Sequence, residues 1–183
     1  MTKAERTRAA LMRSALELFD ERGYDSTTAA AIAAHAGVTE MTFFRYFPSK
    51  DSVLIADPYD PLIAEAITRQ PAHLPPLAAA IGGVADGWAS VAAPLSLELR
   101  NRLRIVSRTP SLRGAVARNS ATTERAIADA LASRGAVDTE ARIAAAATMA
   151  ALTAALLDWA DGDDPDIGTA IDAALRVLNG DHR

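Results

Sequence analysis

The sequence predicts an all-α fold, an N-terminal three-helix head carrying a helix-turn-helix and a C-terminal helical body. Three observations carry this. Apolar residues recur at the 3.6-residue period of amphipathic helices, and strand patterning is absent. Half of the 183 residues are hydrophobic but only 5% are aromatic, and alanine, the best helix former, is frequent. Proline and glycine fall mostly between the apolar segments, where they punctuate helices.

Taken in order, Lys3 to Arg22 reads as an amphipathic helix, with Leu11, Ala15, Leu18 and Phe19 on one stripe. Gly23 ends it. Ser26 and Thr27 are expected to cap a short second helix reaching about His35, with Ile32, Ala33 and Ala36 inward. Ala36-Gly37-Val38-Thr39 then supplies a helix end, a glycine able to take positive φ, an apolar plug and a new N-cap, which together make a tight helix-turn-helix. The third helix, Glu40 to about Tyr46, is stopped by Pro48. Ser49 is expected to cap a fourth that opens with Lys50 and Asp51 and buries Val53 and Leu54. Asp57-Pro58 and Asp60-Pro61 each pair an N-cap with a first-turn proline, so a break near 56–61 and a further helix to about Thr68 are expected.

In the body, Pro75-Pro76 precedes a helix from Leu77 to about Val91, loosened by Gly82, Gly83 and Gly87. Pro94 precedes one from Ser96 to about Arg108, and Pro110 separates that from a long helix, Leu112 to Arg134, closed by Gly135. Asp138 or Thr139 starts a long apolar helix to about Trp159, an acidic loop follows at 161–165, and Asp166 to Leu178 forms the last amphipathic helix. The length suits one domain, or a small head beside a larger body, here 1–50 and 51–183.

Charge is divided in the same way. Residues 1–50 carry seven Lys/Arg and six Asp/Glu, net +1, whereas residues 51–183 carry twelve and seventeen, net −5. The head is mildly basic and the body acidic, a distribution that keeps the body off phosphates. Without cysteine there are no disulfides and no thiolate metal sites, and a cytoplasmic location is expected. The charged Met1–Arg13 stretch argues against a signal peptide. Ile143 to Leu157 reads as a buried helix, too short and too weakly apolar to span a bilayer, so no membrane partner is expected.

A helix-turn-helix places its second helix in the DNA major groove. The third helix here offers Thr39, Glu40, Met41, Thr42 and Arg45, several of them facing away from a core made by Phe43 and Phe47. Thr27, Thr28, Tyr46 and Lys50 lie around it as phosphate ligands. Glu40 also suits the positive end of the helix dipole, and Met41 suits a thymine methyl group.

The stretch from Leu11 to Phe19, then Gly23-Tyr24, Thr27-Thr28, Ile32-Ala33, Ala36-Gly37-Val38-Thr39 and Phe44-Arg45-Tyr46-Phe47-Pro48-Ser49-Lys50, resembles the DNA-binding head of the TetR family over about residues 5–54. The resemblance implies a fold of about nine helices, a homodimer made through the last two helices (about 139–178), double-stranded DNA as partner, and repression relieved by a small-molecule effector. By position it implies that Thr28, Thr39, Tyr46 and Lys50 touch phosphates, that Glu40, Met41, Thr42 and Arg45 lie nearest the bases, and that Arg6 and Arg8 reach the minor groove or flanking backbone. The chain departs from the family at Phe44, where a phosphate-contacting Tyr is usual, at Ala29-Ala30-Ala31, and at Met41, often Gly.

In the body, Arg100, Arg104 and Arg108 share one helix face, read either as a solvated face or as an anion site. The segment Arg102 to Arg113 resembles TetR-type bodies that sense acyl-CoA-like ligands. Trp88 is a candidate pocket residue, and Trp159 suits core or dimer packing. His35, His73 and His182 lack metal spacing, and the aspartates at 161–164 lack the calcium-loop pattern. Nucleophile-elbow, P-loop, dinucleotide and zinc-helix motifs are absent, so neither an enzyme nor a cofactor is expected. The rival reading is a helical small-molecule or lipid binder without a DNA function.

Overall fold

The computed structural model describes residues 2–55, 60–90 and 96–181, with the side chains of 60, 61, 96 and 97 outside the description. Ten α-helices and one 3-10 turn are present among the described residues. They divide into two compact units, Met1–Ala56 with Asn101–Val116, and Asp57–Arg100 with Ala117–Arg183.

The first unit begins with α1 (Lys3–Arg22), opened by a reciprocal capping box. The Thr2 hydroxyl accepts from the Glu5 N–H at 3.2 Å, and the Glu5 carboxylate accepts from the Thr2 N–H at 2.7 Å. Gly23, at φ 78°, ends the helix. α2 (Ala29–His35) is capped by Thr28, whose hydroxyl accepts from the Ala31 N–H at 3.1 Å, rather than by Ser26 or Thr27. Gly37 turns the chain at φ 69° into α3 (Glu40–Tyr46), capped by Thr39. Beneath these helices Leu11, Ile32, Phe43, Phe47 and Val53 are at most 1% exposed. Burial of each such side chain contributes about 1.5–3 kcal/mol.

The fourth helix starts later than the sequence suggests. Among the described residues α4 is Ser52–Ile55, and Lys50 and Asp51 precede it. The Ser52 hydroxyl donates back to the Ser49 carbonyl at 2.6 Å, which holds the tight entry. Leu54 O in α4 accepts from both Nε and Nη2 of Arg102, at 3.0 and 2.8 Å.

Arg102 belongs to α7 (Ser96–Arg108), followed by the 3-10 turn Pro110–Leu112 and α8 (Arg113–Ser133). Ser111 donates to the Asp25 carboxylate at 2.6 Å, and Val106, Leu112 and Ala115 are buried. The first compact unit takes in 101–116 as well.

The second unit contains α5 (Asp60–Arg69), α6 (Pro76–Ala89), most of α8, α9 (Asp138–Asp161) and α10 (Ile167–Asn179). The break expected near 56–61 falls largely outside the described residues. The core is built from small side chains, with Ala79, Ala80, Ala141, Ala144 and Ala145 around Ile67, Ile127 and Leu131. Small residues let helices approach closely, and Gly83 is where they do. A Cβ there would lie 2.7 Å from Ile67 Cα, and one at Gly87 would lie 3.3 Å from Ile63 Cα. These glycines fit α6 against α5 rather than loosening it. Arg134 then ties off the end of α5, donating to the carbonyls of Ile67, Gln70 and Pro71.

The long apolar helix α9 corrects one expectation. At 24 residues, with a mean hydropathy of 1.6 over its most apolar stretch, it is long and apolar enough to cross a membrane by length and composition. The shorter stretch 143–157 understated it, because Ala141 and the residues out to Trp159 and Ala160 belong to the same helix. In the folded unit α9 packs against α6 and α10.

Candidate nucleic-acid interface

The outward face of α3 is set by what lies beneath it. Phe43 is fully buried, with its ring 5.6 Å from that of Phe47. Helical spacing then turns Glu40, Met41, Phe44 and Arg45 toward solvent. Met41 is 83% exposed and Phe44 48% exposed, unusual for large apolar groups on a seven-residue helix. Phe44 packs edge-on against Phe43, which fixes its ring. Arg45 is exposed, with its guanidinium 5.3 Å from the ring centre of half-buried Tyr46.

Thr39 and Thr42 are linked at the start of α3. The Thr39 hydroxyl accepts from the Thr42 N–H at 3.2 Å, and the two hydroxyl oxygens lie 3.0 Å apart. Thr39 and Thr28 are exposed, and each hydroxyl keeps donor capacity beyond its capping bond.

Two expected phosphate ligands turn inward instead. Thr27 is 2% exposed, and its hydroxyl sits 2.9 Å from Gly23 O and 3.2 Å from Leu18 O, so the side chain serves the fold. Lys50 directs its ammonium to the carbonyls of Tyr24 and Thr27, at 2.8 and 2.9 Å, and over the Tyr24 ring at 3.9 Å. The α1–α2 loop presents these carbonyls without helical partners, and a cation satisfies two at once. Burial pushes the Lys50 pKa down, against the pull of Asp25 and Asp51. Desolvation, reinforced by Asp51 and Asp25, pushes Tyr24 up to about 12. Arg8 packs 4.9 Å over the Phe47 ring, while Arg6 is exposed and engaged in a further interaction.

The three body arginines lie at i, i+4 and i+8 of α7 but differ in their surroundings. Arg104 and Arg108 fall in the first unit, and each already has an interaction partner. Arg100 falls in the second unit, its guanidinium 4.3 Å from the ring centre of Trp159. Trp88 is half-buried on α6. A surface hollow of about 200 Å³ in the second unit, lined by Leu74, Pro76, Leu131, Arg134 and Glu140 among others, includes none of these four. Among the described residues no cluster of three or more His, Cys, Asp or Glu is placed to hold a metal.

A short helix carried outward on a buried aromatic pair, after a glycine turn, defines a helix-turn-helix head of the kind that reads DNA. The comparisons with known proteins agree. Residues 11–56 match the model described as bacterial regulatory proteins of the tetR family, and residues 74–182 match the MftR C-terminal domain. The chain belongs to the TetR family of regulatory proteins.

Over 146 residues, 74% of this chain, it is 36% identical to the HTH-type transcriptional regulator TcmR of Streptomyces glaucescens, spanning 63% of that protein's length. Its fold is similar to NalD, the secondary repressor of the MexAB-OprM multidrug efflux pump in Pseudomonas aeruginosa, at 24% identity and a TM-score of 0.59, covering 98% of this chain and 97% of that one. It is also similar to SmeT, repressor of the Stenotrophomonas maltophilia efflux pump SmeDEF, at 22% identity and a TM-score of 0.57, covering 94% and 88%.

Proposed function

We propose that this chain is a ligand-responsive, sequence-specific DNA-binding regulator, a repressor that binds a palindromic operator as a homodimer in the cytoplasm. The observation that carries the reading is the outward row Glu40, Met41, Phe44 and Arg45 on a short helix whose inner side is locked by Phe43. Met41 suits a thymine methyl group and Arg45 a guanine edge or a phosphate. Thr28, Thr39 and Tyr46 flank the row as phosphate contacts, Thr42 supports it through Thr39, and Lys50 positions the loop behind it.

Pairing through α9 and α10 is supported by large apolar side chains left outside on both helices. Ile143 and Val177 are each 64% exposed. A two-fold dimer presents two copies of α3, so half-sites fall about one helical turn of DNA apart or a multiple of it. The effector belongs to the body. Arg102, in the segment that resembles acyl-CoA sensors, spends Nε and Nη2 on Leu54 O, which weighs against that segment as a phosphate fork.

The test is selection from random duplex DNA at one stated moderate salt concentration, with Arg45→Ala beside the wild type. The reading expects enrichment of a two-fold symmetric site that Arg45→Ala binds about 1–3 kcal/mol more weakly. Failure of the folded protein to enrich any site, repeated at low salt, contradicts it. Replacing thymine by uracil within the selected site then checks Met41, since only the methyl group is removed.

A further inference from the structure

Arg102, Arg134 and Arg100 hold their guanidinium groups in different ways. In Arg102, Nε and Nη2 share the Leu54 carbonyl, and in Arg134 three backbone carbonyls take the donors. Arg100 differs. Its Nε and Nη2 are buried and have no hydrogen-bond partner, and the same is true of Nε1 of Trp159, the indole beneath it. Trp159 is only 5% exposed, so solvent does not satisfy its N–H.

Buried N–H donors without an acceptor are costly, more so on a charged group, and the unpaired indole N–H adds to the cost. Native interiors resolve such groups with a partner. Nε and Nη2 form one edge of the guanidinium, the edge whose two parallel N–H groups match the two oxygens of a carboxylate. A carboxylate has about four acceptor positions, enough for that edge and for an indole N–H as well. One guanidinium balances one negative charge, which fits a monocarboxylate better than a phosphate near charge −2. On α9 the alanine- and leucine-rich run 154–157 leads up to Trp159, with Asp158 and Asp161 exposed beside it.

We propose that Arg100 and Trp159 form the recognition point of an effector site for an apolar monocarboxylate. The Arg100 edge takes both carboxylate oxygens, the Trp159 N–H takes a remaining lone pair, and the indole face holds the guanidinium in place. This rests on the ligand-responsive reading above and gives that reading a ligand class.

The experiment titrates the full chain calorimetrically with benzoate and octanoate, with their neutral amides, and with inorganic phosphate. Operator binding is measured in parallel. The carboxylates are expected to bind saturably, on the order of tenfold or more tighter than the amides, as charge-assisted hydrogen bonds allow, and tighter than phosphate. Arg100→Met should erase the preference for carboxylate over amide and, without ligand, melt no lower than the wild type, because it removes two buried donors that have no acceptor. Trp159→Phe keeps an aromatic ring under the guanidinium, removes one donor and should weaken carboxylate binding severalfold, so the site is tested even if Arg100→Met fails to fold.

Equal or absent binding of acids and amides overturns the proposal, as does unchanged carboxylate binding by both variants. Phosphate binding as tight as carboxylate overturns the ligand class. Normal operator binding beside any of these results leaves the DNA reading standing. Loss of operator binding by the wild type, with the carboxylate preference intact, does the reverse.

Discussion

The two units of the chain treat their interior polar groups differently. In the first, Thr27, Lys50 and Arg102 all end on oxygen atoms of the same unit. In the second, Arg134 does the same, but Arg100 and Trp159 bury donors without acceptors. The cores differ as well, with fully buried Phe43 and Phe47 in the first and an alanine-rich, glycine-fitted core in the second. A satisfied interior suits a rigid platform with its function on the outside. An unsatisfied one is where an incoming molecule has something to gain.

The contrast can be broken most forcefully through the aromatic core. Phe43→Ala should cost about 3–5 kcal/mol and abolish DNA binding, read by denaturant unfolding and operator titration. In the second unit, Gly83→Ala drives a methyl group into the Ile67 backbone and should cost about 1–3 kcal/mol. Gly82→Ala meets only the flexible end of Gln70 and should be close to neutral, so thermal melts of the two variants separate tight fit from helix propensity.

Next in size is Lys50→Met, which removes two hydrogen bonds to carbonyls and should lower stability by about 1–2 kcal/mol.

The smallest effect is a pH dependence. Tyr24, raised to about 12 by desolvation and by Asp51 and Asp25, contributes stability that is fully present below pH 10 and lost as the pH rises through about 12. Lys50 acts with the opposite sign, because its pKa is lowered by burial. The fold is relieved of that cost as the pH rises from the lowered value toward 10.5. Absorbance titration of tyrosinate should show a late component that Tyr24→Phe removes.

Periodicity and caps made the head legible. Lys3–Arg22 and Glu40–Tyr46 form helices as their apolar spacing and end signals indicate, and Gly37 takes the positive φ that the turn requires. The outward residues of α3 follow from the same period. What the pattern does not carry is pairing between distant segments. Nothing local marks Arg102 as the partner of Leu54 O or Ser111 as the partner of Asp25, contacts that place 101–116 in the first compact unit.

Lys50 illustrates a further limit. The residues around it match the family's motif, but the direction of its side chain depends on carbonyls of a loop 23–26 positions earlier. Gly83 and Gly87 read as flaws in a helix until the opposing α5 backbone is in place. In the sequence Arg100 stands out by its spacing with Arg104 and Arg108, yet its distinguishing feature is contact with Trp159.

The central claim is that the head divides its polar side chains into inward struts and outward readers. Operator affinity across a salt series, for wild type, Arg45→Ala and Lys50→Met, tests it most directly. Each neutralised phosphate contributes about 0.9 to the slope of log affinity against log salt. The account predicts that Lys50→Met lowers the melting temperature and leaves the slope unchanged, while Arg45→Ala melts like the wild type and weakens operator binding. A slope reduced by about 0.9 in Lys50→Met at unchanged stability, with Arg45→Ala binding as wild type, would contradict it.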